Sequence, residues 1–265
     1  MIPSPTLFGS ANHYQIGLQS RIWAVLVTVT ALGCAGGENQ SPKTEVECGG
    51  PDDLLACSEP NLDPQVYVDA ALAYFDTMDS RVPLETFPDY SETVARWEWP
   101  PWLKLTAWTR ENIELTDRLL RAYPSIVEDR DCRAFSEAPF ARCRITFYYE
   151  THEGRPCPIY EEFAFNEAGQ ITWIEAWSDL PDLLPLNPAN DPWAESANFP
   201  RLSSRIPGLG TSDGFIDTTS TAMSEAAAAD SDVADFLVRT QDWAGTWAAE
   251  AAAAGEEMWA EGCGW

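Results

Sequence analysis

Positive charge is scarce in this chain. Sixteen lysines and arginines stand against 42 aspartates and glutamates, the only lysines are Lys43 and Lys104, and the formal net charge is -26. A surface of that sign repels phosphate backbones, which excludes nucleic acid as a partner. Histidine is scarcer still, with only His13 and His152. No C-x-x-C, H-E-x-x-H or G-x-S-x-G motif occurs, and there is no Gly-rich phosphate loop, so neither a metal nor a cofactor is expected. Long apolar runs are lacking too: the uncharged stretch Ile22 to Gly33 falls short of the ~20 residues of a spanning helix. What is present is 45% apolar and 12% aromatic residues, enough for a proper core.

The stretch Ile22 to Gly33 follows Arg21 and has the length of a signal-peptide core. It ends Ala31-Leu32-Gly33-Cys34, which resembles the bacterial lipobox, where a small residue precedes a cysteine that is acylated and opens the mature chain. The pattern prefers a branched apolar residue at Ala31 and a small one at Leu32. Residues 1–33 are therefore expected to be a signal peptide, with Cys34 the lipidation site and the protein exported and anchored to a bacterial envelope membrane. Ordinary secretion or a periplasmic location is the alternative. Removing the segment leaves 15 basic and 42 acidic residues, a charge of -27. Residues 34–62 read as a flexible linker.

Apart from Cys34 there are six cysteines, an even number that argues for disulfides in an exported chain. Segments around Ser136-Glu137-Ala138-Pro139 alternate as strands. If Phe135 pairs with Phe140, Cys132 falls opposite Cys143, within bridging distance. Cys48 with Cys57 would close a small loop in the linker, leaving Cys157 for Cys263.

Pro64 to Met78 reads as a helix, with Asp63 as N-cap and Val68, Ala71, Leu72 and Phe75 at helical spacing. Pro83 to Pro101 is broken by prolines and is expected to hold only short pieces. Leu103 to Tyr123 reads as a second helix, with Ile113, Leu115, Leu119 and Leu120 apolar and Pro124 stopping it. Four strands follow, at about Ile126 to Phe135, Phe140 to Glu150, Pro158 to Phe165 and Ile171 to Ser178. Gly169 supplies the left-handed residue of the last hairpin. Helices followed by a meander give an α+β fold. Leu180 to Gly214 is proline-rich and expected to wrap the surface, and Met223 to Trp259 reads as one or two Ala/Trp-rich helices. The division expected is a domain over 63–179 and an extension over 180–265.

Ile145 to Asp179 resembles the last strands of the nuclear transport factor 2-like superfamily, which includes the SnoaL-like proteins and the ketosteroid isomerases. Pro158-Ile159-Tyr160-Glu161-Glu162-Phe163-Ala164-Phe165-Asn166-Glu167-Ala168-Gly169 matches the isomerase strand P-I-D-x-F-x-F-N-x-A-G with one extra residue, Tyr160. Upstream, Tyr74 to Asp79 resembles the end of the first helix, and Val94 to Pro100 a short strand reading V-E-D-P. The resemblance spans about Asp63 to Asp179. It implies a cone-shaped barrel: a curved antiparallel sheet covered by the N-terminal helices, around an apolar cavity; the helical C-terminal extension lies outside the resemblance.

Enolising a ketone needs a carboxylate to move a proton and donors for the enolate oxygen; in the isomerases the donors are a tyrosine and a protonated acid. The resemblance places Tyr74 and Glu161 at the donor positions. The base position falls on Trp99 when the following proline is aligned, or on Glu98 without a gap; Asp89 is a further acid that could serve. Independently of the family, Glu161 alternates with Ile159, Phe163 and Phe165, a face on which burial would raise its pKa. The structural alternatives are that twist or a bulge carries Glu161 to the sheet edge, or that an arginine such as Arg144 neutralises it. Tyr74 could equally be a core tyrosine, and His152 an exposed loop residue. Trp97, Trp99 and Trp102 either line a ligand pocket, with Phe163 and Ile174, or plug the barrel as core. The reading preferred is a binding module for a small apolar molecule, without chemistry. The alternatives are an isomerase- or dehydratase-like proton-transfer enzyme and a structural envelope lipoprotein with a filled core. Fold alone does not choose among them.

Overall fold

The computed structural model describes residues 61–99, 106–121, 124–135, 139–150, 153–179, 191–194 and 199–246. The signal segment, Cys34, Cys48, Cys57, Trp102, His152 and Cys263 lie outside the described residues.

Helix α1 (Pro64–Met78) starts where expected: Asp63 accepts from the Gln65 amide at 2.9 Å, and Pro64 takes the first position, where a missing N–H costs nothing. Its buried face is carried by Tyr67, Ala71, Tyr74, Phe75 and Met78, while Val68 and Leu72 are only half-buried. The aromatic side of the stripe wins because it meets the sheet, where Tyr67 packs on Phe165 and Tyr74 on Phe163.

Strand β1 (Tyr90–Trp99) is ten residues long, against the expectation of short pieces between prolines. Pro88 and Pro100 flank it, so neither removes a ladder donor. The second helix is shorter than expected. Ala107 and Trp108 form strand β2, paired with Arg96 and Ala95 of β1, and Thr109 turns the chain with a φ of 78°. Helix α2 (Arg110–Leu120) follows, burying Ile113, Thr116, Asp117 and Leu120 and leaving Leu115 exposed. The pairing of β2 with β1 is a tertiary demand that overrides the helical period upstream.

Strands β3 (Ser125–Ala134), β4 (Phe140–Tyr149), β5 (Pro156–Phe165) and β6 (Ile171–Ser178) form the meander. The sheet order is β2-β1-β6-β5-β4-β3. It is curved and open. It is also mixed rather than wholly antiparallel, because β1 runs parallel to β6. The expected register of the β3–β4 hairpin holds: Cys132 lies opposite Cys143 and the two are bridged. Cys157 is also disulfide-bonded, with its partner outside the described residues. Between β5 and β6, Asn166 Oδ1 accepts from the Ala168 and Gln170 amides, and Gly169 sits at φ 79°, where a Cβ would also meet Leu62 at 2.7 Å.

Both faces of the sheet are covered, and all eight residues of β6 are buried. On one face α1 and α2 pack over Ile145, Ile159, Phe163, Phe165 and Ile174. On the other lie Ala95, Trp97 and Trp173, covered by Leu202, Ile206, Leu209 and Ile216 and by helices α3 (Thr221–Ala229) and α4 (Ser231–Gln241), which contribute Met223, Val233 and Phe236. Asp230 caps α4 and, with Asp232, binds Arg205.

Candidate functional site

Side chains alternate across a strand, so β1 sends Val94, Arg96 and Glu98 toward α1 and α2, and Ala95, Trp97 and Trp99 toward the C-terminal segment. On β5 the same rule places Glu161 among Ile159, Phe163 and Phe165. α1 lowers Tyr74 onto this face. The result is a buried polar cluster in the apolar layer beneath the helices.

Arg96 is its centre. Nη1 donates to the Tyr74 hydroxyl; Nε and Nη2 donate to Glu98 Oε1 at 3.1 and 2.6 Å; and Nη2 lies 3.4 Å from Glu161 Oε1. The Arg96 and Glu98 side chains are 3% and 2% exposed and Glu161 is fully buried. Neither Glu161 oxygen has a hydrogen bond of good geometry. Burial raises the Glu161 pKa against the opposing Arg96 charge and the nearby Tyr74 hydroxyl. Burial likewise holds the Tyr74 hydroxyl well above its usual range, with Arg96 acting against it and the Glu161 charge reinforcing it. Tyr149, also buried, is pushed up by desolvation and by Glu98.

Arg144, offered as an example of an arginine that could neutralise Glu161, binds Asp179 at 2.6 Å. The guanidinium nearest Glu161 is that of Arg96, and alternation explains it: placing Glu98 on the inner face forces Arg96 there too. Two further members, Asp117 and Tyr90, carry no signal in the local sequence pattern. Asp117 on α2 is buried one turn from Ile113 and Leu120, and its Oδ2 accepts from the Tyr90 hydroxyl at 3.0 Å. Asp89 remains at the surface, where its side chain is 68% exposed.

Phe163 and Ile174 share the layer with Tyr74, whereas Trp97 and Trp99 lie on the opposite face. Trp97 packs edge-on to Trp99 and Phe236, and Trp99 donates to Glu175 at 2.6 Å. They serve the packing of the C-terminal segment, not a pocket beside Glu161. That face has its own ionic group. Arg142 and Arg201 grip Glu162, holding it below the usual carboxylate range even though desolvation opposes them. The cavity there, lined by Glu162, Glu175, Trp173 and Ser203, is about 30 Å³, room for about two waters.

A guanidinium lies between two carboxyl groups, with tyrosines around it. Two N–H groups solvate the Glu98 carboxylate, while Glu161 has the looser contact and the apolar walls.

No family model matches the sequence, and no curated protein matches it. Solved structures with similar parts include a protein of unknown function with a cystatin-like fold from Methylobium petroleophilum (14% identity, 48% of this chain and 84% of that one, TM-score 0.36). Another is the epoxide hydrolase/cyclase-like enzyme SalBIII of salinomycin pyran-ring formation (11%, 44% and 94%, TM-score 0.35). A third was described as an isomerase of the SnoaL-like family, from Agrobacterium tumefaciens (11%, 44% and 99%, TM-score 0.32). Each likeness covers less than half of this chain.

Proposed function

We propose that the layer beneath α1 and α2 holds an acid–base site for a small, mostly apolar molecule carrying one carbonyl- or hydroxyl-type oxygen, on a nuclear transport factor 2-like domain. The observation that carries this reading is the sharing of one buried guanidinium, Arg96, between Glu98 and Glu161, at 2.6 and 3.4 Å. A core built only for stability gains little from such a group, since a buried ion set costs several kcal/mol per ion in desolvation (roughly) and is weak evidence of stabilisation. As a site it is intelligible. Glu161, kept neutral by burial, donates to the ligand oxygen. Tyr74 accepts from Arg96, and its own proton, which faces Glu161, is the second donor to the ligand oxygen. Glu98 is the carboxylate that removes and returns a proton. If the grip of Arg96 leaves Glu98 too weak a base, the same donors still bind the oxygen and no proton moves. That is the binding-only form of the proposal.

A second reading, the filled structural core, is favoured by the rings of Tyr74, Phe75 and Phe163, which are fully buried with centroids 5.1 to 5.7 Å apart. A ligand enters only as these rings yield.

The test is titration of wild type, Tyr74→Phe and Glu161→Gln with phenols of graded acidity, beside NMR measurement of proton exchange from simple ketones with and without Glu98→Gln. Each donor change should weaken phenol binding about tenfold or more, the worth of a hydrogen bond to a charged group. Glu98→Gln should remove exchange while sparing binding. No phenol binding by wild type selects the filled core.

Export and anchoring belong to the same proposal, supported by the run Ile22 to Gly33 ending in Cys34. Mass analysis of membrane fractions should find acyl chains on Cys34 at the mature N-terminus; an unmodified thiol there refutes the anchor.

A further inference from the structure

The buried layer contains more acid than the Arg96 pair uses. Glu98, Glu161 and Asp117 are 2%, 0% and 1% exposed, and among the described residues of that layer Arg96 is the cation that faces them. Carboxylates held away from water are costly as anions, and among the described residues one guanidinium stands beside these three, which favours protons on some of them. Glu161 accounts for one. The position of Asp117 accounts for the next: α2 presents it to β1, where the Tyr90 hydroxyl donates to Oδ2 at 3.0 Å, while Oδ1 has no hydrogen-bond partner. The Thr77 hydroxyl on α1 donates to the Tyr74 carbonyl at 2.7 Å and also lies close enough to Asp117 to favour its anion.

We propose that Asp117 and Tyr90 form a proton-holding dyad of the same site, taking up or releasing the proton that balances charge around Arg96; this rests on the acid–base reading above. Asp117 is a positioning residue in this scheme. It touches no ligand oxygen, and it acts by setting how much negative charge Glu161 and Tyr74 can carry. The groups that face it are Tyr74 from α1, Tyr90 and Arg96 from β1, and Glu161 from β5. Desolvation lifts its pKa to about 7, against the opposing pull of Arg96 and the Tyr90 hydroxyl. The dyad therefore changes charge in the neutral range. A developing oxyanion beside Glu161 would draw a proton onto Asp117, and loss of that oxyanion would release it. The ligand class this favours is one that arrives neutral and becomes negative while bound, since an incoming carboxylate or phosphate would meet a layer already short of positive charge.

Carbon-13 NMR of protein labelled at the aspartate and glutamate carboxyl carbons tests this without a ligand. One aspartate signal should titrate near pH 7 and vanish in Asp117→Asn. Its midpoint should rise by about one unit in Tyr90→Phe, which removes the hydrogen bond to the anion, and rise also in Arg96→Met, which removes the opposing cation. An Asp117 signal in the ordinary carboxylate range, or one unmoved by both variants, overturns the dyad. If Glu161 remains protonated at pH 7 in that case, the acid–base site survives without the dyad; if Glu161 is ionised as well, both fail.

Discussion

Replacing Arg96 by methionine removes the cation from the buried layer and keeps most of its volume. Glu98 then loses two charge-assisted bonds, the Tyr74 hydroxyl loses its donor, and Glu161 loses the charge 3.4 Å away. At ~1.5 to 3 kcal/mol for each bond to a charged group, the sum exceeds what is measured when one partner of a buried pair is removed, about 3 to 5 kcal/mol. The lower range is expected, because Glu98 can relieve the cost by taking a proton. Urea unfolding at pH 7, followed by tryptophan fluorescence, should therefore show a loss of about 3 to 5 kcal/mol with an unchanged slope. Adding Glu98→Gln removes the stranded charge and should recover about 2 kcal/mol of it. A loss below about 1 kcal/mol, or a double variant no better than the single one, refutes the placement of Arg96 as the counter-ion of this layer.

Asp117 has a folded pKa raised from 3.8 to about 7, so its contribution is fully present below pH 3.8 and lost as pH rises through 7. Wild type should lose about 1.4 kcal/mol per pH unit across that window, about 4 kcal/mol in all, and Asp117→Asn should lack this slope in unfolding curves taken from pH 4 to 8. Asp79 has the opposite sign. Although desolvation opposes it, the hydrogen bonds from Arg81 and the Val127 amide hold its pKa at about 2. Its stabilisation is present above pH 3.8 and disappears as pH falls toward 2, so Asp79→Asn should flatten the acid limb of the stability profile. Changing Cys132 and Cys143 together to alanine opens a loop of sequence separation 11 and should cost about 3 kcal/mol in urea; no change would mean that the hairpin is held in the unfolded state as well.

Local signals were legible wherever the chain answers to its neighbours in sequence. Asp63-Pro64 announces α1, and alternation around Phe135 and Phe140 puts Cys132 opposite Cys143. The same alternation puts Glu161 on the apolar face of β5. Tertiary demands were not legible. Ala107 and Trp108 leave the helical pattern because β1 offers them an edge, and β1 fills its full length because the prolines stand just outside it. The tryptophans misled for a different reason. Their crowding between Val94 and Leu103 suggests one pocket, yet the period of two that brings Glu98 inward sends Trp97 and Trp99 outward, under a C-terminal segment whose packing no local pattern reveals. Arg96 was hidden by the family comparison, which draws the eye to positions 98 and 99. Asp117 was hidden by its type, since an aspartate on an amphipathic helix is ordinarily solvated.

The sharing of one guanidinium by a protonated and an ionised carboxyl is tested most directly by carboxyl bond lengths in an atomic-resolution crystal structure grown at pH 7. A protonated Glu161 should show one long and one short C–O bond, and an ionised Glu98 two equal ones, with Arg96 between them. Equal bonds in both residues, or Arg96 turned away from either, would contradict the acid–base site.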